Sequence, residues 1–158
     1  MSDKNTELIT TFYQAFVNGD AEKMISCYHD DIVFEDPAFG ALEGEQAKEM
    51  WRMLLHRAKG TLKITFSDVQ GHQTGGNASW KAEYIFSKTN RKIVNHIQAT
   101  FKCKNGKILM HTDSFDLWKW SHQALGINGL LLGWTPFMKK QIQKQTNQLL
   151  DEWIKNKK

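Results

Sequence analysis

The sequence predicts a single α+β domain, in which helices come first and a meander of antiparallel strands follows. Apolar residues recur at helical spacing over residues 8–16, and they alternate with polar residues from residue 61 onward. The pair Asn105 and Gly106 is the strongest hairpin signal in the chain. The sequence shows no repeat, low-complexity segment or second-domain boundary, so one domain over residues 1–158 is expected.

The N-terminal segment predicts a helical hairpin. Its first helix ends at Gly19, because glycine readily adopts the left-handed conformation that follows a helix. Asp20 is then placed to cap a second short helix, in which Met24 and Ile25 continue the apolar face. The two helices are therefore expected to follow each other almost without a linker.

A short strand and a third helix come next. Residues 32–34 favour a strand that ends at Asp36, because Pro37 lacks the N–H that a strand ladder uses. Residues 40–44 indicate a glycine-containing loop, after which helical spacing returns over residues 45–59.

From residue 61 the apolar period changes to two, which predicts a meander of four antiparallel strands. The first two strands flank Gly75 and Gly76. The third spans residues 91–104 and meets the fourth, residues 107–117, across the Asn-Gly turn. We expect these strands to be long and strongly curved.

The C-terminal region, residues 117–158, combines two tryptophans, an apolar loop and a last helix. The loop runs from Gly126 to Trp134, and its apolar character favours a lid or a dimer contact. Thr135 and Pro136 have the pattern of a helix cap and a first helical residue. The last helix has Lys on its polar side but also several Gln and Asn, and we expect no membrane partner.

The formal net charge is +4, but the charges are unevenly distributed. Residues 1–49 have three Lys or Arg against eleven Asp or Glu, whereas residues 50–111 have eleven against two. The positive excess is split between strand-like segments and a terminal helix, without the aromatic interleaving of a nucleic-acid motif. We therefore interpret the charges as solvated faces and expect no nucleic-acid partner.

Composition narrows the class of protein further. Six Trp and nine Phe supply enough apolar area for a core without metal or disulfide support. The apolar stretch from Leu130 to Leu132 is far too short to span a bilayer, and residues 1–4 lack an apolar signal core. Cys27 and Cys103 have no C-x-x-C pairing and fit two packed thiols in a reducing compartment. These features predict a soluble, cytoplasmic protein.

Residues 30–37, Asp-Asp-Ile-Val-Phe-Glu-Asp-Pro, followed by Gly44 at the end of the loop, carry a family resemblance. With the order of the elements, they resemble the nuclear-transport-factor-2-like superfamily in its SnoaL-like and ketosteroid-isomerase-like branch, over about residues 5–116. The resemblance implies a cone-shaped α+β barrel, in which a curved sheet wraps around the helical hairpin and the third helix. It also implies an apolar pocket, commonly in a homodimer formed through the sheet. The C-terminal helix is an addition to this fold.

Asp36 is the first candidate catalytic residue. Ile32 and Phe34 share its strand face, so an inward Phe34 implies an inward Asp36. Burial would raise the pKa of its carboxyl group toward that of a useful base, and the resemblance implies the same role, since the isomerase's general base lies at this position. The alternative is a structural aspartate that caps the loop or accepts backbone N–H groups around Pro37.

His111 and Asp113 form a second candidate pair, because they share a face of the fourth strand with Phe115. In the resembling isomerases this face lines the cavity, which would place the pair across from Asp36. The alternative is a His-Asp hydrogen bond at the rim of the cone, satisfied by water or by the sheet. A metal site would need a third ligand. His96 is not available, because it lies on the face of its strand opposite to that of Asn95 and Ile97. We therefore expect neither a metal nor another cofactor.

The sequence also departs from the isomerases. Their two oxyanion donors, a tyrosine and a protonated aspartate, match Phe12 or Tyr13 and Ala99 here. Tyr13 can replace the first donor, but Ala99 cannot donate, which argues against a standard steroid isomerase. Asn95 shares a face with Ala99 and Phe101, and it can either polarise a carbonyl or simply line a pocket.

We therefore predict a protein that binds a small apolar molecule and that carries out acid-base chemistry on it as an isomerase, cyclase or hydrolase. The candidate catalytic residues are Asp36, His111 and Asp113. The candidate ligand-binding residues are Tyr13, Trp80, Tyr84, Asn95, Phe101 and Phe115, of which Trp80 and Tyr84 form an aromatic wall unless that stripe is core. Two alternatives stay open: a noncatalytic carrier or sensor, and a homodimerisation module whose interior is filled by its own side chains, Trp134 among them.

Overall fold

The computed structural model describes residues 2–132 and 135–157, which form helices around one curved sheet. The helices are α1 (Ser2–Val17), α2 (Ala21–Ser26), α3 (Glu45–Arg57), α4 (Leu117–Leu125), α5 (Ile127–Leu132) and α6 (Pro136–Asn156). The strands are β1 (Tyr28–Asp36), β2 (Gly40–Glu43), β3 (Lys63–His72), β4 (Gly75–Phe86), β5 (Arg91–Lys104) and β6 (Lys107–Ser114). The α+β class predicted from the sequence is confirmed.

The sheet is mixed, with strand order β2-β1-β6-β5-β4-β3. Neighbouring strands are antiparallel except β1 and β6, which run parallel. The edge strands β2 and β3 do not pair with each other, so the sheet does not close into a barrel. In the parallel pair Phe34 lies opposite His111 and Glu35 opposite Thr112. The following residues on these strands, Asp36 and Asp113, are thereby brought close together.

An aromatic core fills the space between the helices and the sheet. Helix α1 packs along β3 and β4, and it contributes the fully buried Phe12 and Tyr13. Trp51 from α3 meets the ring of Phe12 at a centroid distance of 5.9 Å and that of Phe34 at 5.4 Å, both edge to face. This packing attaches the helices to the face of the sheet that Ile32 and Phe34 occupy, as the alternation in β1 predicted.

Local signals placed several element boundaries correctly. Gly19 has a φ of +69°, and Asp20 caps α2 by accepting the backbone N–H of Lys23 at 3.0 Å. Asn105 and Gly106 both have positive φ, as a tight two-residue hairpin turn requires. The predicted caps of α2 and α6, and the predicted hairpin, are confirmed.

One predicted loop was wrong, because it contains a strand. Gly40 has a φ of +74°, which lets the chain reverse, so that residues 40–43 pair with residues 33–36 as β2. Four residues with a glycine at the start are too short to show a strand period.

The predicted apolar loop over residues 126–134 was also incorrect. Asp116 caps a helix that the sequence analysis did not predict, α4, and Ile127 begins another short helix, α5. Gly126, with a φ of +67°, separates the two. Trp134, which was suggested to fill the interior, lies outside the described residues.

The predicted faces of the last strand hold only beyond residue 110. Strict alternation would place Ile108 on the other face of the strand from His111, yet both side chains are fully buried. Register shifts interrupt the pairing of β6 with both neighbours, between Lys102 and Cys103 on β5 and between Tyr28 and Val33 on β1. Such irregularities change which side chains face the core.

Helix α6 is anchored to α3 through Glu49, a buried carboxylate. Its oxygens accept hydrogen bonds from Trp153 Nε1 at 2.8 Å and from Lys157 Nζ at 3.0 Å, and Arg52 of its own helix donates as well. Burial alone raises the pKa of Glu49, but these hydrogen bonds outweigh it and lower the pKa. The C-terminal end of α6 is therefore held against the domain by a charged buried group.

Glu49→Ala is expected to loosen α6, because it leaves the partly buried Trp153 indole without its acceptor. The expected loss of stability is about 2 kcal/mol, with faster amide exchange concentrated in α6, measured by urea unfolding and hydrogen exchange. Glu45→Ala is the matched control, since Glu45 is exposed on the same helix. Equal exchange in α6 of both variants would contradict this account.

Candidate functional site

A cavity with a volume of about 290 Å³ lies between α3, the β4–β5 hairpin and α6. Most of its lining side chains are apolar, among them Phe16, Met50 and Leu149. Its size and lining are those of a site for a small apolar molecule.

The structure brings six of the nine predicted site residues to this cavity: Asp36, Trp80, Tyr84, Asn95, Asp113 and Phe115. Three do not line it: Tyr13, Phe101 and His111. All three are buried in the core instead.

Asp36 ends β1 and is held by the loop that follows. Its Oδ1 accepts the backbone N–H of Ala38 at 2.9 Å and that of Phe39 at 2.6 Å. Within the described part of the chain, no donor reaches its second oxygen, Oδ2. The structural alternative, in which Asp36 accepts backbone N–H groups around Pro37, therefore holds for Oδ1, while the side chain still lines the cavity.

Burial is the main reason why Asp36 has an unusual proton affinity. It raises the pKa of Asp36 from an ordinary 3.8 to about 7, although the N–H groups of Phe39 and Ala38 lower it. The nearby charge of Asp113 contributes to this rise, and the value of about 7 includes it. Near neutral pH, Asp36 can therefore both accept and return a proton.

Asp113 is the end of a buried chain of hydrogen bonds. Trp51 Nε1 donates to the hydroxyl of Tyr28 at 2.8 Å, and this hydroxyl lies 2.8 Å from His111 Nδ1. His111 Nε2 lies 2.9 Å from Oδ1 of Asp113, which also accepts from Trp80 Nε1 at 3.3 Å. The Tyr28 hydroxyl, which accepts from Trp51, is placed to donate to Nδ1 of His111, and Nε2 is placed to donate to Asp113.

His111 does not lie at the rim of a cone, as the structural alternative for this pair supposed. It is fully buried, and its ring is 4.5 Å from Phe101 and 5.4 Å from Phe12 by centroids. Its contact with Asp113, predicted from the shared strand face, is present. Because it does not line the cavity, it can act on a ligand only through Asp113.

Tyr13 does not present its hydroxyl to the cavity. Its ring stacks on Phe66 at 5.4 Å, and within the described residues its buried hydroxyl has no hydrogen-bond partner. Burial raises the pKa of Tyr13 well above its usual value, and the charge of Asp113 adds to this. The oxyanion donor expected here from the resemblance is therefore not offered to a ligand in this structure.

Tyr84, unlike Tyr13, does line the cavity. It accepts a hydrogen bond from Trp120 Nε1 at 2.8 Å, so its own proton is available to a ligand. Burial, followed by the nearby charge of Asp36, raises the pKa of Tyr84, whereas the bond from Trp120 lowers it. Asn95 supplies a second possible donor in the same cavity.

Sequence reasoning missed several residues of this site. Tyr28, in β1, and Trp120, in α4, were not among the predicted site residues. The α6 residues Ile142, Thr146 and Leu149 line the cavity, but helical spacing alone does not say where a terminal helix docks. No local pattern in the sequence indicates these contacts.

Neither a metal site nor a membrane span is found in the part of the chain that the structure describes. Residues 2–132 and 135–157 bring no three His, Cys, Asp or Glu together as metal ligands. None of their helices is both long enough and apolar enough to cross a bilayer.

The comparisons with known proteins agree with this fold. A family model described as SnoaL-like domain matches residues 9–111, which is more than half of the chain. The chain therefore belongs to the SnoaL-like family. Several solved structures with a similar fold bear the name NTF2-like. No curated protein matches the sequence.

Solved structures share the fold at low identity. A putative polyketide cyclase from Xanthomonas campestris pv. campestris is 19% identical, with a TM-score of 0.63 over 77% of this chain and 97% of its own. TerC, co-crystallised with polyporic acid, is 16% identical, with a TM-score of 0.66 over 77% and 98%. An LEH-like epoxide hydrolase from M. tuberculosis is 19% identical, with a TM-score of 0.60 over 84% and 92%.

Tyr28→Phe is expected to destabilise the protein by about 3 kcal/mol, because it leaves both Trp51 Nε1 and His111 Nδ1 buried without a partner. Urea unfolding measures this loss. Tyr84→Phe removes a hydroxyl bound by Trp120 in the cavity, where water can replace it, and should cost less than about 1 kcal/mol. A Tyr28→Phe loss as small as that of the control would contradict the buried chain.

Asp36→Asn is expected to stabilise the protein above neutral pH. Between pH 4 and pH 7 the folded protein holds a proton on Asp36 that the unfolded chain has released, so stability falls as pH rises, and the penalty persists above pH 7. Asparagine lacks this penalty, so thermal or urea unfolding should show a gain of about 4 kcal/mol at pH 8 and almost none at pH 4. Glu43→Gln, at an exposed carboxylate on the neighbouring strand β2, should show no such pH dependence.

Proposed function

We propose that this protein is an acid-base enzyme that binds a small apolar carbonyl compound and moves a proton on the carbon beside the carbonyl group. One observation carries the proposal: Asp36 and Asp113 face the same apolar cavity, and burial raises the pKa of Asp36 to about 7. A carboxylate with this pKa is suited to abstract a weakly acidic C–H proton near neutral pH. The reaction class is isomerisation or cyclisation.

In this proposal each residue has a distinct role. The Oδ2 atom of Asp36 takes the proton from the substrate carbon, and the resulting carboxylic acid returns it to another atom of the same molecule. The hydroxyl of Tyr84 and the amide of Asn95 donate to the carbonyl oxygen, where negative charge develops. Asp113 keeps the proton affinity of Asp36 high, while His111 holds Asp113 in place.

Three solved structures with a similar fold support this class. One is named a putative polyketide cyclase, and another, TerC, was co-crystallised with polyporic acid. The third is named an LEH-like epoxide hydrolase, which supports a related reaction in which Asp36 activates water. The apolar lining of the cavity here favours proton transfer on carbon.

The test uses a panel of apolar cyclic ketones in D₂O. Compounds that bind are found by thermal shift, since binding to the folded state alone raises its stability, and exchange of their α-protons for deuterium is followed by NMR. Asp36→Asn is expected to slow exchange by about 10²- to 10⁴-fold while it retains binding. The wild-type rate should rise with pH to a plateau above about 7, because the ionised Asp36 is the active form.

Glu43→Gln is the matched control and should exchange at the wild-type rate, since its side chain is exposed on β2 and does not line the cavity. Binding without exchange in the wild type would replace catalysis by the carrier alternative. Equal exchange in wild type and Asp36→Asn would show that another group is the base. If no compound of the panel bound, both the proposed enzyme and the carrier alternative would be contradicted. The homodimer implied by the family resemblance stays a prediction, for which light scattering is the measurement.

A further inference from the structure

Helix α6 contacts the loop that holds Asp36 at three successive carbonyl groups. Gln143 Nε2 donates to the carbonyl oxygen of Pro37 at 3.1 Å, and Thr146 Oγ1 donates to that of Ala38 at 2.7 Å. Asn147 Nδ2 donates to the carbonyl oxygen of Phe39 at 2.9 Å. One side of the helix is thus matched, residue by residue, to the backbone of this loop.

Two of these carbonyls belong to the peptide groups that bind Asp36. The peptide group between Pro37 and Ala38 has its oxygen bound by Gln143 and gives its N–H to Asp36 Oδ1. The next peptide group, between Ala38 and Phe39, has its oxygen bound by Thr146 and gives its N–H to the same atom. Because a peptide group is planar, holding the oxygen fixes the direction of the N–H. A hydrogen bond at the oxygen also strengthens the one that the N–H makes.

The third contact does not reach the carboxyl group. Asn147 binds the oxygen of Phe39, and the N–H of that peptide group belongs to Gly40, which pairs with Asp36 only as a strand neighbour. The same helix surface therefore carries two contacts that lead to the carboxylate and one, of the same chemistry, that does not.

Helix α6 is well placed to act as a fixed support. Its far end is held by Glu49 of α3 through Trp153 and Lys157. It also closes the cavity, which Ile142 and Leu149 line. The segment that matches the family model ends at residue 111, so this support is supplied by the part of the chain beyond it.

We propose that Gln143 and Thr146 are positioning residues for Asp36: through two peptide groups they orient the N–H donors that hold Oδ1 and so leave Oδ2 directed to the ligand. This inference rests on the proposed role of Asp36 as a base. The titratable groups that act on Asp36 are Asp113 on β6, Tyr84 on β4 and Glu35 on its own strand. The three hydrogen bonds from α6 to this loop come from neutral side chains, those of Gln143, Thr146 and Asn147.

The proton affinity of Asp36 measures this arrangement directly, without a substrate. Thr146→Val keeps the shape of the side chain, and therefore the wall of the cavity, but removes the donor to Ala38. The N–H bond from Phe39 should weaken, which raises the pKa of Asp36 by about 0.5 to 1. Gln143→Leu should act in the same direction through the other peptide group, and Thr146→Ser should leave the pKa unchanged.

The pKa is read from the pH dependence of the ¹³C shift of the Asp36 carboxyl carbon, assigned by its loss in Asp36→Asn. Two controls separate positioning from general stability. Asn147→Leu removes an equivalent hydrogen bond and should lower stability without moving this pKa. Gln148→Leu makes the same kind of change at an exposed position of α6 and should alter neither quantity.

An unchanged pKa in both Thr146→Val and Gln143→Leu would overturn the inference, as would an equal shift in Asn147→Leu. Leu149→Ala is expected to have the opposite effect, because it opens the cavity wall and admits water, which lowers the pKa. These outcomes are separate from the proposed function. If the pKa moves as expected but Asp36→Asn still exchanges α-protons, Gln143 and Thr146 position Asp36 but Asp36 is not the base. If the pKa does not move but Asp36→Asn loses exchange, Asp36 is the base but Gln143 and Thr146 do not position it.

Discussion

A fully buried imidazole constrains the rest of this structure. His111 lies among aromatic rings that cannot hydrogen-bond to its nitrogens, so both nitrogens need polar partners in the interior. The partners are Tyr28 and Asp113, which are themselves bound by Trp51 and Trp80. This chain joins α3, β1, β6 and β4, which are distant in sequence. Each member is oriented by the next, so the side chains around the cavity have one arrangement.

The chain also determines the electrostatics of the cavity. Asp113 accepts two hydrogen bonds from the protein side, which hold its charge close to Asp36 on the neighbouring parallel strand. Asp36 then has to ionise in a site that is both desolvated and near another carboxylate. The raised pKa of Asp36 lowers the stability of the folded state at neutral pH, relative to an uncharged side chain at this position. Such a loss of stability is common at functional sites. The cavity thus combines an apolar body with one pair of carboxyl groups.

The chain has a family core and an added support. The SnoaL-like segment supplies most of the sheet and of the helical hairpin, together with Asp36, and Asp113 follows directly after it on β6. The region beyond it supplies Trp120, which binds Tyr84, and α6, which forms a wall of the cavity and holds the loop after Asp36. Members of one fold family can differ in such additions while the core is kept, which is one way in which a shared fold acquires different sites.

The sequence by itself determined what depends on neighbouring residues. These features are the C-terminal end of α1 near Gly19, the N-terminal cap of α6 at Thr135, the turn at Asn105 and the inward direction of Asp36. These follow from backbone preferences and from a period of two or 3.6 residues, which act over a few positions. Only the tertiary structure decided that His111 is buried behind the cavity, that Tyr84 rather than Tyr13 offers its hydroxyl, and that α6 holds the loop of Asp36. Periodicity gives the face of a side chain but not its depth, and it carries no information about partners far away in the chain. The contacts between α6 and the loop join residues more than 100 positions apart, which only packing of the whole domain brings together.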